Sequence, residues 1–128
     1  MTYYFAKTIA ADFDDAVQRT TDALKEEGFG IITEIDVKET FAKKLGIDFR
    51  KYRILGACNP ALAHEALEIE DKVGTMLPCN VVVQDAGDGK TEVAAIDPVA
   101  SMQAIDNPRL GQAAEVVRDK LKLVIERL

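Results

Sequence analysis

The chain has 128 residues and carries 22 acidic against 16 basic side chains, for a formal net charge of -6. Its length fits one domain over residues 1–128, because single hydrophobic cores commonly serve about 100–150 residues. The acidic balance argues against a nucleic-acid partner, since that binding needs Lys and Arg to neutralise phosphates. No apolar stretch approaches the ~18 residues of a membrane span and no signal-peptide pattern opens the chain, so we expect no membrane partner and a cytoplasmic location.

The first half of the chain alternates strand and helix patterns. Residues 2–9 alternate as a strand does, and ADFDDAVQRTTDALKEEG has apolar side chains at helical spacing, with Asp12 as N-cap and Gly28 beyond the end. FGIITEIDV, residues 29–37, predicts a strand whose odd positions face the core. KETFAKKLG then predicts a short helix ending at Gly46, and RKYRILGAC predicts the third strand.

A third helix and a hairpin follow. The Asn59-Pro60 pair begins the helix, because Asn accepts from first-turn amides and Pro at the first helical position lacks the N–H that would go unpaired. A loop comes next. PCNVVVQDAGDGKTEVAAIDP predicts a β-hairpin with its turn at residues 87–89 and its end at Asp97-Pro98.

The last helix begins at Asn107-Pro108 and carries a long apolar stripe made of Leu110, Ala114, Val117, Leu121, Val124 and Leu128. This stripe predicts packing on the sheet or, as an alternative, contact with a partner subunit. The pattern as a whole predicts a single α+β domain ordered β-α-β-α-β-α-β-β-α. Its five strands form one sheet, and the first and last helices cover the apolar face.

Thiolate or imidazole chemistry has few residues to use. Cys58 and Cys79 are the two cysteines, and His64 is the single histidine. Their spacing could supply two thiolates and one imidazole to zinc or another soft metal, although it lacks the close ligand pairs of common zinc sites. Cys58 directly precedes the helix N-cap Asn59, where the first-turn amides favour a thiolate. His64 could instead form an ordinary exposed pair with Glu68.

The alternation of side chains between the two faces of a strand suggests a second interpretation of the cysteines. We expect Cys58 to share an apolar strand face with Tyr52 and Ile54, and Cys79 to share one with Val81 and Val83. A free cysteine on such a face behaves as a small hydrophobic side chain. Core packing, a thiol or ligand site, and metal ligation therefore all remain open for the two cysteines.

Three segments carry a family resemblance: LGACNPALAHEAL, GTMLPCNVVV and TEVAAIDP. With these, the chain resembles the family catalogued as domain of unknown function 302, through Cys58-Asn59-Pro60, Pro78-Cys79 and Asp97-Pro98. The resemblance implies an α+β domain, similar in outline to TATA-box-binding-protein-like folds, with helices packed on a mostly antiparallel curved sheet, and it implies a dimer. It implies no reaction, and the fold alone does not transfer DNA binding.

The leading functional hypothesis is a small-ligand-binding or sensor-like domain. Its site residues are Cys58, Asn59, His64 and Cys79, at strand ends beside a helix start whose free amides favour anions. One alternative is a thiol-dependent or metal-assisted enzyme using Cys58 with His64 or Cys79. The other is a structural homodimer that associates through the last helix. The sequence identifies no cofactor, metal or reaction.

Overall fold

Five strands form one antiparallel sheet in the order β1-β5-β4-β3-β2, as seen in a computed structural model that describes residues 2–128. The elements in chain order are β1 (Tyr4–Ile9), α1 (Phe13–Glu26), β2 (Gly30–Asp36), α2 (Val37–Leu45), β3 (Tyr52–Cys58), α3 (Pro60–Ile69), a 3-10 helix (Asp71–Met76), β4 (Cys79–Gly87), β5 (Lys90–Ile96), α4 (Pro98–Ser101) and α5 (Pro108–Glu126). The predicted α+β class and its five-stranded sheet are confirmed.

The helix boundaries follow the capping residues that the sequence indicates. The Asp12 carboxylate accepts the backbone N–H of Asp15 at 2.8 Å and starts α1. Gly46, with φ at 65°, ends α2 in the left-handed conformation, which costs glycine little because it has no Cβ. Asn107 caps α5 through the N–H of Arg109 at 3.1 Å, so these predicted ends are confirmed.

The main core lies on one face of the sheet, under the first and last helices. The sheet contributes Leu55 and Ala57 from β3, together with Val81, Val83, Val93 and Ala95 from the hairpin. α1 and α5 cover these side chains with a set that includes Ala16, Leu24, Leu121 and Val124. These side chains are almost fully buried, as close packing between a sheet face and two helices requires. The prediction that the first and last helices cover the sheet is confirmed.

The predicted burial pattern of β2 is wrong beyond its second residue. The pairing with β3 passes from Ile31 opposite Ala57 to Thr33 opposite Gly56, so one extra residue forms a bulge. A bulge reverses the alternation, and Ile35 consequently faces away from the core with 49% of its surface exposed.

Beyond the bulge, Glu34 lies opposite Leu55 on the core side, near the edge of the sheet. It pairs with Arg53 at 3.1 Å, and Asp36 lies 3.9 Å from the same guanidinium. The ion pairs make this end of the core face polar. The alternation of apolar residues along β2 therefore predicted the wrong face beyond the bulge.

Two short helices replace predicted loops. The loop expected after the third helix contains the 3-10 helix, which buries Val73 completely. The Asp97-Pro98 pair ends β5, as predicted, and in addition begins α4, where the Asp97 carboxylate accepts the N–H of Val99 at 3.0 Å. A buried proline at the first position of α4 explains why the chain turns directly into a helix there.

The apolar stripe of α5 packs within its own chain. Leu121 and Val124 are buried in the main core, and Leu110 joins a second cluster with Ala66 and Val73. Only Val116 and Leu123 are large apolar side chains exposed on the described part of this helix. The C-terminal half of the stripe therefore packs on the sheet, which is the first of the two roles that the sequence allowed, and Leu110 packs near α3 instead.

Candidate functional site

An apolar cavity of about 340 Å³ lies where β3 and β4 meet α3 and α5. This volume falls within the range of about 300–1,000 Å³ that is typical of small-molecule sites. The cavity is lined by Phe29, Ile32, Ala57, Cys58, Asn59, Leu62, Ala63, Ala66, Leu67, Gly74, Leu77, Pro78, Cys79, Pro98, Met102, Leu110, Ala113, Ala114 and Val117.

Small side chains on two helices leave this space open. Ala63 and Ala66 on α3 face the cavity from one side, and Ala113 and Ala114 on α5 face it from another. Protein interiors normally fill such gaps, since close packing maximises dispersion contacts. Alanines at the inward positions of two helices are the sequence signal for this wall, and the rare thiols and imidazole of the chain do not indicate it.

Asn59 connects three elements at the corner of the cavity. Its side-chain oxygen accepts the N–H of Leu62 at 3.3 Å and caps α3, as predicted. Its amide nitrogen donates to the carbonyl oxygen of Glu27, just after α1, at 3.4 Å. Gly28 makes room for this side chain, because a Cβ there would lie 2.9 Å from the Asn59 amide nitrogen. The oxygen and the nitrogen of the Asn59 amide therefore each make one hydrogen bond within the chain.

The two predicted cysteine positions come together at the cavity. Cys79 begins β4 with 7% of its surface exposed, and Cys58 ends β3 half-buried; neither forms a disulfide. Burial, with a smaller contribution from the charge of a Cys58 thiolate, raises the pKa of the Cys79 thiol from its ordinary value of 9.0 to about 11. Cys79 is therefore a neutral thiol near pH 7 and packs as a small hydrophobic group.

The predicted core face of β3 is wrong for Cys58. Leu55 and Ala57 occupy the core face, together with Arg53, and Cys58 follows Ala57 at the point where the strand turns into α3. Arg53 lies at the outer end of that face, with its guanidinium 5.3 Å from the ring centre of Phe13. An arginine that is paired with carboxylates and stacked on an aromatic ring can occupy a core face, so its charge did not mark the solvent side of the strand.

His64 does not join the other predicted site residues at the cavity. Its side chain is 77% exposed on α3, and its Nε2 atom lies 3.3 Å from a carboxylate oxygen of Glu68, one turn along the helix. This is the ordinary exposed pair that the sequence allowed as an alternative.

The described residues of this site include neither a set of metal ligands nor a general base for thiol chemistry. Over residues 2–128, no three His, Cys, Asp or Glu side chains converge to hold a metal ion. None of the described residues lining the cavity is His, Asp, Glu, Lys or Arg, so no ordinary general base or cation stands beside Cys58. The arrangement can enclose an apolar group, with one half-buried thiol in the wall.

The fold and cavity define a two-layer α+β domain with an apolar pocket at the end of its sheet. The family model described as "Domain of unknown function DUF302" matches residues 5–128, so the chain belongs to this family. The structure is similar to the crystal structure of an uncharacterized conserved DUF302 protein from Bacillus stearothermophilus, with 27% sequence identity and a TM-score of 0.91, over 99% of this chain and 98% of that chain. No curated protein sequence matches the chain significantly.

None of the helices between residues 2 and 128 combines the length and apolar character that crossing a membrane requires.

We expect Asn59→Ala to lower the free energy of unfolding by about 2 kcal/mol, because it removes both the cap of α3 and the hydrogen bond to Glu27. Asn107→Ala is the matched control, since it removes a cap without a second long-range bond and should cost about 1 kcal/mol. Urea unfolding followed by circular dichroism measures both values. An equal or smaller loss for Asn59→Ala would contradict the double role.

Proposed function

We propose that this protein binds a small, neutral, largely apolar molecule in the cavity between α3, α5 and the ends of β3 and β4, as a ligand-binding or sensor-like domain. The observation that carries the proposal is the cavity itself, about 340 Å³ in volume and lined by apolar side chains, two thiols and Asn59. Such a concave apolar site is the usual form of a small-molecule pocket.

The wall chemistry selects against charged ligands. A buried carboxylate or phosphate needs a cation or several free donors, because removing an ion from water is costly. The described lining residues include no cation, and the Asn59 amide, which already bonds to Leu62 and Glu27, can offer at most one further N–H. The sequence suggested an anion at this helix start; the apolar wall instead favours a neutral ligand.

Binding is favoured over catalysis by the state of the polar groups. Cys79 holds its proton, and His64 lies away from the cavity beside Glu68. Cys58 is the accessible thiol, and the cytoplasmic location that the sequence predicts would keep it reduced. Its half-buried place in the wall gives the pocket one soft, polarisable contact for a ligand.

Filling the cavity from α3 tests the proposal. Ala63→Phe places an aromatic ring into the space, whereas Ala61→Phe adds the same ring to an exposed position of the same helix that does not line the cavity. The probe is N-phenyl-1-naphthylamine, a neutral molecule that fluoresces strongly in apolar surroundings. We expect wild-type protein and Ala61→Phe to bind it saturably, with at least a tenfold weaker affinity for Ala63→Phe, which corresponds to about 1.4 kcal/mol.

Folding of both variants is checked by their unfolding transitions. Equal probe binding by a folded Ala63→Phe, or no saturable binding by the wild type, would overturn the proposed site. Native mass spectrometry of the wild-type protein as purified provides a second measurement, since a bound small molecule appears as a defined mass increment that Ala63→Phe should lack.

A further inference from the structure

The two edges of the sheet differ in how they are protected. β2 at one edge is interrupted by the bulge after Ile31 and carries Glu34 and Asp36. β1 at the other edge pairs with β5 in unbroken register from Tyr4 to Ile9. Bulges and charges are the usual devices that keep an edge strand from pairing with another chain, and β1 has no bulge.

The hydrogen-bonding groups on the outer side of β1 can be assigned. The backbone N–H of Asp97 donates to the carbonyl oxygen of Tyr3 at 2.7 Å, so Tyr3 directs its backbone groups toward β5. Direction alternates along an antiparallel strand, and therefore Tyr4, Ala6 and Thr8 direct their N–H and C=O groups outward. No strand within residues 2–128 pairs with that side.

The side chains on this edge are compatible with a close neighbour. Tyr4, Ala6 and Thr8 are all exposed and uncharged. The one charge within β1 is Lys7, whose ammonium group donates to the carbonyl oxygens of Glu126 and Leu128 at the end of α5. The lysine that could have repelled another strand is thus engaged by its own chain.

We propose that β1 pairs antiparallel with β1 of a second copy of this chain, which joins the two sheets edge to edge. Both helix layers must lie on the same side, so residues opposite each other share a strand face. The register that overlaps the strands most fully places Ala6 against Ala6 of the second copy at the two-fold axis. Tyr4 then lies against Thr8 of that copy, and the outward groups of all three residues are paired.

A second copy fits this edge because the pairing is self-complementary. In the two-fold arrangement Ala6 meets its own equivalent, where the short methyl group lets the strands approach, and each Tyr4 covers a Thr8 methyl group. Like charges do not meet across the axis, because Lys7 lies opposite Phe5 of the second copy. This edge replaces α5 as the dimer contact, since the apolar stripe of α5 is buried in its own chain.

Proline at the axis provides a selective test. Ala6→Pro removes an outward N–H without removing a bond to β5, and edge strands tolerate proline. Ala6→Lys is a second variant that places two ammonium groups together at the axis. Ile35→Lys is its matched control, because it adds the same charge to an exposed position of the opposite edge strand, β2. Sedimentation equilibrium from about 10 µM to about 1 mM covers the affinity range expected for a small, reversible interface.

We expect a concentration-dependent dimer for the wild type and the folded control, and at least a tenfold weaker dimer for Ala6→Pro and Ala6→Lys. A wild type that stays monomeric throughout the range would overturn the proposal, and would leave the β1 edge to a strand of another protein. A dimer unaffected by both folded Ala6 variants would also overturn it. Probe binding in the cavity is read separately, so failure of this interface leaves the proposed ligand site testable on its own.

Discussion

Gly56→Ala should lower the free energy of unfolding by about 2–3 kcal/mol. A Cβ added at Gly56 would lie 2.0 Å from the hydroxyl oxygen of Thr33 and 2.7 Å from the ring carbon Cγ of Pro78. These side chains close over the glycine from β2 and from the segment before β4, beside the cavity that Pro78 helps to line. The added methyl group must displace both Thr33 and Pro78, which strains the packing of β3 against β2 and against the segment before β4. Urea unfolding at constant m-value measures the loss.

Gly30→Ala is the matched control, because a Cβ at Gly30 in the adjacent strand meets nothing within 4 Å. That change should be nearly neutral or slightly stabilising. Adding Thr33→Ala to Gly56→Ala should recover part of the loss, since it removes the nearer of the two clashing groups. A Gly56→Ala protein as stable as Gly30→Ala would show that the packing over β3 is looser than the structure indicates.

Cys79 should make the protein less stable as the pH rises from about 9 to about 11. Burial holds the pKa of this thiol at about 11 in the folded chain, above its ordinary value of 9.0. Between these values the unfolded chain has lost the proton that the folded chain retains, so rising pH favours unfolding. The free energy of unfolding should fall by roughly 2–3 kcal/mol across this window and then level off.

The measurement compares wild type with Cys79→Ala by urea unfolding at several pH values. Lysines and tyrosines titrate in the same range, but they are common to both proteins and cancel in the difference. Cys58→Ser keeps Cys79 and should retain most of the decline, because burial is the larger cause of the shift. A constant difference between wild type and Cys79→Ala from pH 8 to about 11 would show that the thiol is not buried as described.

Local sequence signals predicted most of the helix starts and ends correctly. Asp12, Asn59 and Asn107 each accept a first-turn N–H, and Gly46 ends α2. Such caps depend on side chains and amides within three residues of one another, so the chain specifies them before any long-range contact forms. The strands of the hairpin and the class of the fold followed from alternation and spacing in the same way.

The candidate site was predicted in part. Cys58, Asn59 and Cys79 do meet at one cavity, because β3 and β4 are neighbours and the capped corner lies at their ends. His64 does not, since its place on the helix surface depends on which side of α3 packs inward. The sequence prediction relied on the rare residue types, the two cysteines and the single histidine. The pocket itself is created by the inward alanines of α3 and α5.

What the amino-acid order dictates here is local: where helices begin and end, which segments extend, and that one α+β domain results. The tertiary structure alone decided which face of β3 is buried, how the bulge turns Ile35 outward, and that a cavity remains beside Cys58. The physical reason is that capping and alternation act over a few residues. Burial, a raised thiol pKa and unfilled volume depend instead on side chains that folding brings together from distant parts of the chain.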